Sequence, residues 1–157
     1  MLSGRRETDE YYMKLAIQEA TKAFDADEVP IGAVVVLDKK IAGRAHNQTE
    51  LLKDPTAHAE MLAITQACET AAQGRLQGAT VYVTLEPCPM CIGAMIHARI
   101  GRLVFGAREA KMGACGSVLH LLADGKWNHQ FKIEEGLFEF ESAALLQEFF
   151  KKKRTSR

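Results

Sequence analysis

His58 and Glu60 stand two residues apart, and Cys88 and Cys91 stand three apart further along the chain. One imidazole and two thiols are donors that zinc prefers. Three such ligands leave a tetrahedral ion one position short, and in catalytic sites that position takes water. Glu60 is not needed as a ligand. Beside a metal-activated water, a carboxylate is placed to move protons. The pattern points to metal-assisted hydrolysis.

Competing readings use fewer of these residues. A Cys-x-x-Cys pair alone can be a redox dithiol, but that leaves His58 and Glu60 without a task. A closed structural site would need a fourth protein ligand. Cys68 sits roughly 15 Å along the same helix from His58, too far to serve. Cys115, His97 and His120 stay available in principle. The open site is the reading that employs Glu60.

The elements around these residues must aim them at one point. On a helix predicted over 88–98, Cys88 and Cys91 share a face, and Pro87 is expected to open it. Unpaired N–H groups at such a start favour thiolate. His58 and Glu60 point to nearly opposite sides of a regular helix. Both reach one site only if the helix begins there, over 58–72, after the turn residues Asp54-Pro55-Thr56. Two helix N-termini are therefore expected to converge on the ion.

Other elements follow from periodicity. An amphipathic helix is predicted over 9–26 with Asp9 as its cap. The valine-rich run 31–37 fits a buried strand, and a turn at 38–40 leads to a second strand over 41–46. A loop over 47–56 follows. Strands are predicted over 80–85 and 103–105, a glycine-rich loop over 106–116 and a weak strand near 131–133. A last helix over 142–153 presents Leu145, Leu146, Phe149 and Phe150. Met95, Ile96 and Ile100 suit either the core or a second subunit. This order implies one domain over 1–157 of the α/β class, a three-layer α/β/α sandwich around a mixed sheet. Residues 1–8 and 154–157 are expected to be flexible.

Composition agrees with a globular chain: 47% of the 157 residues are apolar and 25% charged. No run has the length of a membrane span and no signal peptide is recognisable, so the expected location is cytoplasmic, without membrane attachment. Four cysteines do not make a disulfide framework here. The net charge of zero is unevenly spread, because Lys151, Lys152, Lys153, Arg154 and Arg157 end a chain that is otherwise net acidic. Such a cluster suits a polyanion, or is a solvated tail.

The joined pattern, His-x-Glu followed by Pro-Cys-x-x-Cys, is that of zinc deaminases acting on nucleobases. Longer strings narrow it. Pro30-Ile31-Gly32-Ala33-Val34-Val35, Asp54-Pro55-Thr56-Ala57-His58-Ala59-Glu60 and Tyr82-Val83-Thr84-Leu85-Glu86-Pro87-Cys88 resemble bacterial tRNA-specific adenosine deaminases, within the cytidine-deaminase-like superfamily. So do Gly93-Ala94-Met95-Ile96-His97-Ala98-Arg99-Ile100 and Val104-Phe105-Gly106-Ala107-Arg108.

The resemblance, over about 11–154, implies a five-stranded mixed sheet, a homodimer and one zinc ion per subunit on His58, Cys88 and Cys91. It implies conversion of adenosine to inosine at the wobble position of a tRNA anticodon stem-loop, with Glu60 carrying protons to N1 and to the leaving amine. It assigns Asn47 to base contact, Val29 and Ala57 to the pocket wall, the Pro87 carbonyl to the leaving amine, and Phe150 to the anticodon-facing helix. Arg99, Arg108 and Lys111 join the basic end as phosphate candidates. Glu109 stands where the family commonly has Asp, so its RNA contact would be made by a longer arm. Cys115 stands where a small residue is usual and reads as a buried free thiol. Two rivals share the zinc motif: a deaminase of a free base or nucleotide, of guanine or cytosine type, and a non-catalytic zinc-binding RNA module. The intact Glu60 argues against the second.

Overall fold

The valine-rich run forms β1 (Gly32–Leu37), and both of its faces are covered. Ala33 and Val35 point into one apolar cluster, while Val34 and Val36 point into another. The same split divides Val81 and Val83 from Tyr82 in β3 (Thr80–Leu85), and Leu103 and Phe105 from Val104 in β4 (Arg102–Ala107). Strands buried on both faces read as continuous apolar runs, which is why periodicity found them. The computed structural model describes residues 2–156.

With β2 (Lys40–His46) and β5 (Lys132–Glu135), the strands form a five-stranded sheet in the order β2-β1-β3-β4-β5. β1 pairs antiparallel with β2 and β3, whereas β3, β4 and β5 run parallel. The sheet is therefore mixed, as expected. On one side lie α3 (Ala59–Ala71) and α4 (Pro89–Ala98), contributing Ala63, Ala67, Ile92 and Met95 to the larger cluster. On the other lies α1 (Leu2–Asp25), with Met13 and Ala16 against Val34 and Tyr82, and α6 (Glu139–Thr155) packs on the same side. Gly32 and Gly43 let helices approach closely: a side chain at 32 would meet the backbone of Ala16, and one at 43 that of Ala63.

Several boundaries depart from expectation. α1 begins at Leu2, so residues 2–8 belong to the helix predicted to start at Asp9. Arg5 pairs with Glu134 at 3.1 Å and Arg6 with Glu10 at 3.2 Å, partners that extend the helix beyond its apolar stripe. Asp9 is consequently inside the helix rather than its cap. Its carboxylate, 8% exposed, accepts from the Tyr82 hydroxyl and the Arg102 guanidinium, each at 2.7 Å. α6 carries the chain in helical form to Thr155, beyond the predicted 153; Met1 and Arg157 lie outside the described residues. The 47–56 loop contains the short α2 (Thr49–Leu52), and α5 (Leu121–Asp124) precedes β5. Met95 and Ile100 are fully buried in the core, with Ile96 packed at its margin. No described helix is long and apolar enough to cross a membrane.

Candidate active site

Two helix starts build the site. The chain enters α3 through Asp54, whose Oδ1 accepts from the Thr56 N–H at 2.8 Å and from its hydroxyl at 2.7 Å. This turn leaves His58 as the N-cap of α3, extended at φ −71° and ψ 152°. Cys88 is likewise the extended N-cap of α4, with Pro89 at the first helical position. The expectation that Pro87 opens this helix is thus corrected by two residues. Proline disfavours helical backbone in the residue before it, so Cys88 is held extended by Pro89. Neither cap side chain bonds to its own helix end. Both turn instead toward a common point.

There His58 Nδ1 lies 3.7 Å from Cys88 Sγ and 3.6 Å from Cys91 Sγ, and the sulfurs are 3.7 Å apart. A tetrahedral zinc with sulfur at about 2.3 Å and nitrogen at about 2.1 Å separates its sulfurs by about 3.8 Å and sulfur from nitrogen by about 3.6 Å. The donor set therefore fits such an ion in both chemistry and spacing. Among the described residues these three form the one group of its kind, so Cys68, Cys115, His97 and His120 supply no fourth ligand. The cluster is electrostatically primed. The hydrogen bond between the two sulfurs, with His58 alongside, lowers the Cys88 pKa to about 4. Contact with Cys88 raises His58. The same sulfur contact, and burial, push Cys91 upward.

Glu60 occupies the first turn of α3 and is 4% exposed. Burial raises its pKa above the usual carboxylate range, against the pull of His58. Its carboxyl lies close enough to His58 and Cys88 to feel their charge. A buried carboxyl beside the metal donors is placed to take up and return a proton.

The remaining expected residues are distributed around this centre. Asn47 is buried at the end of β2 and its N–H donates to the Ile31 carbonyl at 3.0 Å. Ala57 is buried, its carbonyl accepting from Gln48 N–H at 3.0 Å, which ties the Asn47 segment to the residue before His58. Pro87 is buried, and its carbonyl accepts from Ala114 N–H at 2.9 Å, so one of its two lone pairs is engaged. Val29 and Phe150 line one cavity of about 640 Å³ with Thr49, Glu50 and Lys153. Phe150, 45% exposed, also lines an adjoining cavity of about 510 Å³ with Lys111, Leu146 and Arg154. Glu109 is half-buried, its side chain accepting from the Lys111 N–H at 2.9 Å. Cys115 is a buried free thiol, and burial raises its pKa to about 12.

The basic candidates divide. Arg108 is committed to Glu135 through two bonds of 2.7 and 2.8 Å, and Arg99 donates to Asn128. Lys153 pairs with Asp27 at 2.6 Å, and Lys152 sits over the Phe24 ring. Lys111 and Arg154 are exposed at the cavity rim. Glu86, to which sequence reasoning assigned nothing, is 3% exposed beside the Pro87-Cys88 pair and is bonded to the 109–117 loop. The signal for it was present as an acid ending an otherwise apolar strand.

Known proteins resemble this chain over most of its length. The MafB19-like deaminase family model matches residues 7–154. A tRNA-specific adenosine deaminase of Bacillus subtilis is 48% identical over 95% of each chain. One of Aquifex aeolicus is 47% identical over 94% of this chain and 97% of its own. A solved structure from work on A-to-I editing by tRNA:A34 deaminases superposes with a TM-score of 0.84 at 48% identity, covering 87% of this chain and 99% of that one. With its five-stranded mixed sheet and paired helix starts, the chain belongs to the MafB19-like deaminases and, among them, to the tRNA-specific adenosine deaminase family.

Proposed function

We propose that this protein hydrolyses the adenosine at the wobble position of a tRNA anticodon to inosine, releasing ammonia, with one zinc ion per subunit. The observation that carries the reading is the His58–Cys88–Cys91 triangle, sized for tetrahedral zinc, with Glu60 buried beside it. Family membership selects adenosine in tRNA over a free guanine or cytosine base.

Zinc held by the three donors would lower the pKa of water so that it attacks near neutral pH. Glu60 takes the proton from the attacking water and delivers it to adenine N1. It then takes the proton of the new C6 hydroxyl and passes it to the amino group, which departs as ammonia and leaves a carbonyl at C6. Burial suits this cycle, because a carboxyl whose pKa is raised both accepts and returns a proton. Asn47 and the backbone around Val29, Ala57 and Pro87 are proposed to form the pocket that receives the base. An anticodon loop is single-stranded, so a base can swing out at low cost.

Lys111, Phe150 and Arg154, together on one cavity rim, are proposed to meet the RNA. Glu109 lies on the same loop as Lys111. A cytoplasmic location is also proposed, in keeping with a tRNA substrate. A homodimer is also proposed, and the exposed apolar side chains of Val118, Leu119 and Trp127 offer a surface for it. Light scattering of the purified protein tests that point.

The function is tested by incubating zinc-loaded protein with an anticodon stem-loop carrying adenosine at the wobble position, and separately with free guanine and cytosine. Inosine in the RNA and no ammonia from the free bases is the expected result. Ammonia from a free base with unmodified RNA would transfer the protein to the rival class.

A further inference from the structure

Glu86 follows β3 directly, just before Pro87, and is almost fully buried, yet its carboxylate is neither a metal donor nor in an ion pair among the described residues. All of its hydrogen-bond partners come from one loop. Oε1 accepts from Glu109 N–H at 3.0 Å and from the Ser117 hydroxyl. Oε2 accepts from Cys115 N–H at 2.9 Å and Ser117 N–H at 3.2 Å. The adjoining backbone repeats the connection, with Ala114 N–H on the Pro87 carbonyl at 2.9 Å. Gly113 passes so close that any side chain there would run into the Glu86 carboxylate. The loop is therefore wrapped around a fixed internal anion, as backbone N–H groups wrap a bound phosphate.

The same loop carries Lys111 to the rim shared with Phe150 and Arg154, and it carries Glu109. Without the anion, one buried and two half-buried N–H groups and a hydroxyl would lose their acceptor, and the loop would keep only the Ala114–Pro87 bond to this strand end and the bonds within itself. We propose that Glu86 is a positioning residue for RNA recognition: it fixes the 109–117 loop in the conformation that meets the anticodon stem-loop, without touching the reacting atoms. This rests on the function proposed above.

Glu86→Gln tests it in the full-length zinc-loaded protein. The amide keeps the shape but turns an NH₂ group toward N–H donors that need an acceptor. The expected result is unchanged zinc content, amide exchange at Glu109, Cys115 and Ser117 faster by about tenfold, a Kd for a fluorescent anticodon stem-loop raised about tenfold, and kcat at saturating RNA within about twofold. Ser117→Ala, which removes only the hydroxyl donor, should raise the same Kd by about threefold. An unchanged Kd despite faster exchange would overturn the proposal. So would a Glu86→Gln protein that loses zinc, since the carboxylate would then be serving Cys88. If Glu86→Gln does not fold, an unchanged Kd in Ser117→Ala decides against it. Wild-type protein that binds the stem-loop but makes no inosine removes the proposed reaction while the Kd comparison still judges Glu86; wild-type protein that binds no RNA overturns both.

Discussion

His58 Nδ1 and Cys91 Sγ face each other across 3.6 Å, although one caps α3 and the other sits in the first turn of α4. Two donors from separate helices, one half-buried and the other fully buried, stand where a single cation would meet both. The metal should therefore tie the two helix starts together as well as supply chemistry.

Cys88→Ala removes one of three donors and one of the two links between those helices. It should reduce zinc from one per chain to below about a tenth, and lower the melting temperature by about 5 °C or more. Bulk metal analysis and a thermal melt on the same sample check both. Full zinc occupancy would contradict the assignment of Cys88.

The charged end of the chain is less free than its sequence suggests. Lys153 is spent on Asp27, whereas Lys111 and Arg154 are exposed at the rim beside Phe150. Replacing Lys111 and Arg154 together by Ala should raise the stem-loop Kd about tenfold at low salt and reduce its salt-dependence slope by about one per lost phosphate contact. Lys153→Ala should change the slope less. Titrations at several salt concentrations separate these outcomes.

Acid should weaken the contact between α1 and the sheet. Burial raises the Asp9 carboxyl, but its bonds to Arg102 and Tyr82 outweigh that, and the net shift is downward. A carboxyl lowered in the folded state contributes stability that is complete above its unfolded pKa, about 3.9, and is lost as pH falls through the lower folded value. The Arg102 bonds also lower Glu134. Asp9→Asn should therefore melt well below wild type at neutral pH, and the gap should narrow as pH falls below about 4. A gap independent of pH would remove the ion pair from the explanation.

Much of this site could be read from residue types and spacing. His58, Glu60, Cys88 and Cys91 declared their chemistry because few other tasks use that combination, and β1, β3 and β4 declared themselves because both faces are buried. What escaped depended on partners distant in the chain. Asp9 looked like a helix cap because Arg102, with which it pairs, is 93 positions away. Glu86 looked like an ordinary acid because its donors lie 23 to 31 positions further on. Pro87 and Pro89 are equally good helix openers by type, and only the site shows that Cys88 must stay extended to face His58.

Glu60 carries the central claim, because in the proposed mechanism it is the group that turns a metal site into a catalyst for this reaction. The direct measurement is inosine formation by Glu60→Ala in a wobble-adenosine stem-loop, with zinc content determined on the same protein. The account predicts one zinc per chain and a rate lower by about 10²–10⁴-fold. Wild-type turnover at full zinc occupancy would contradict it.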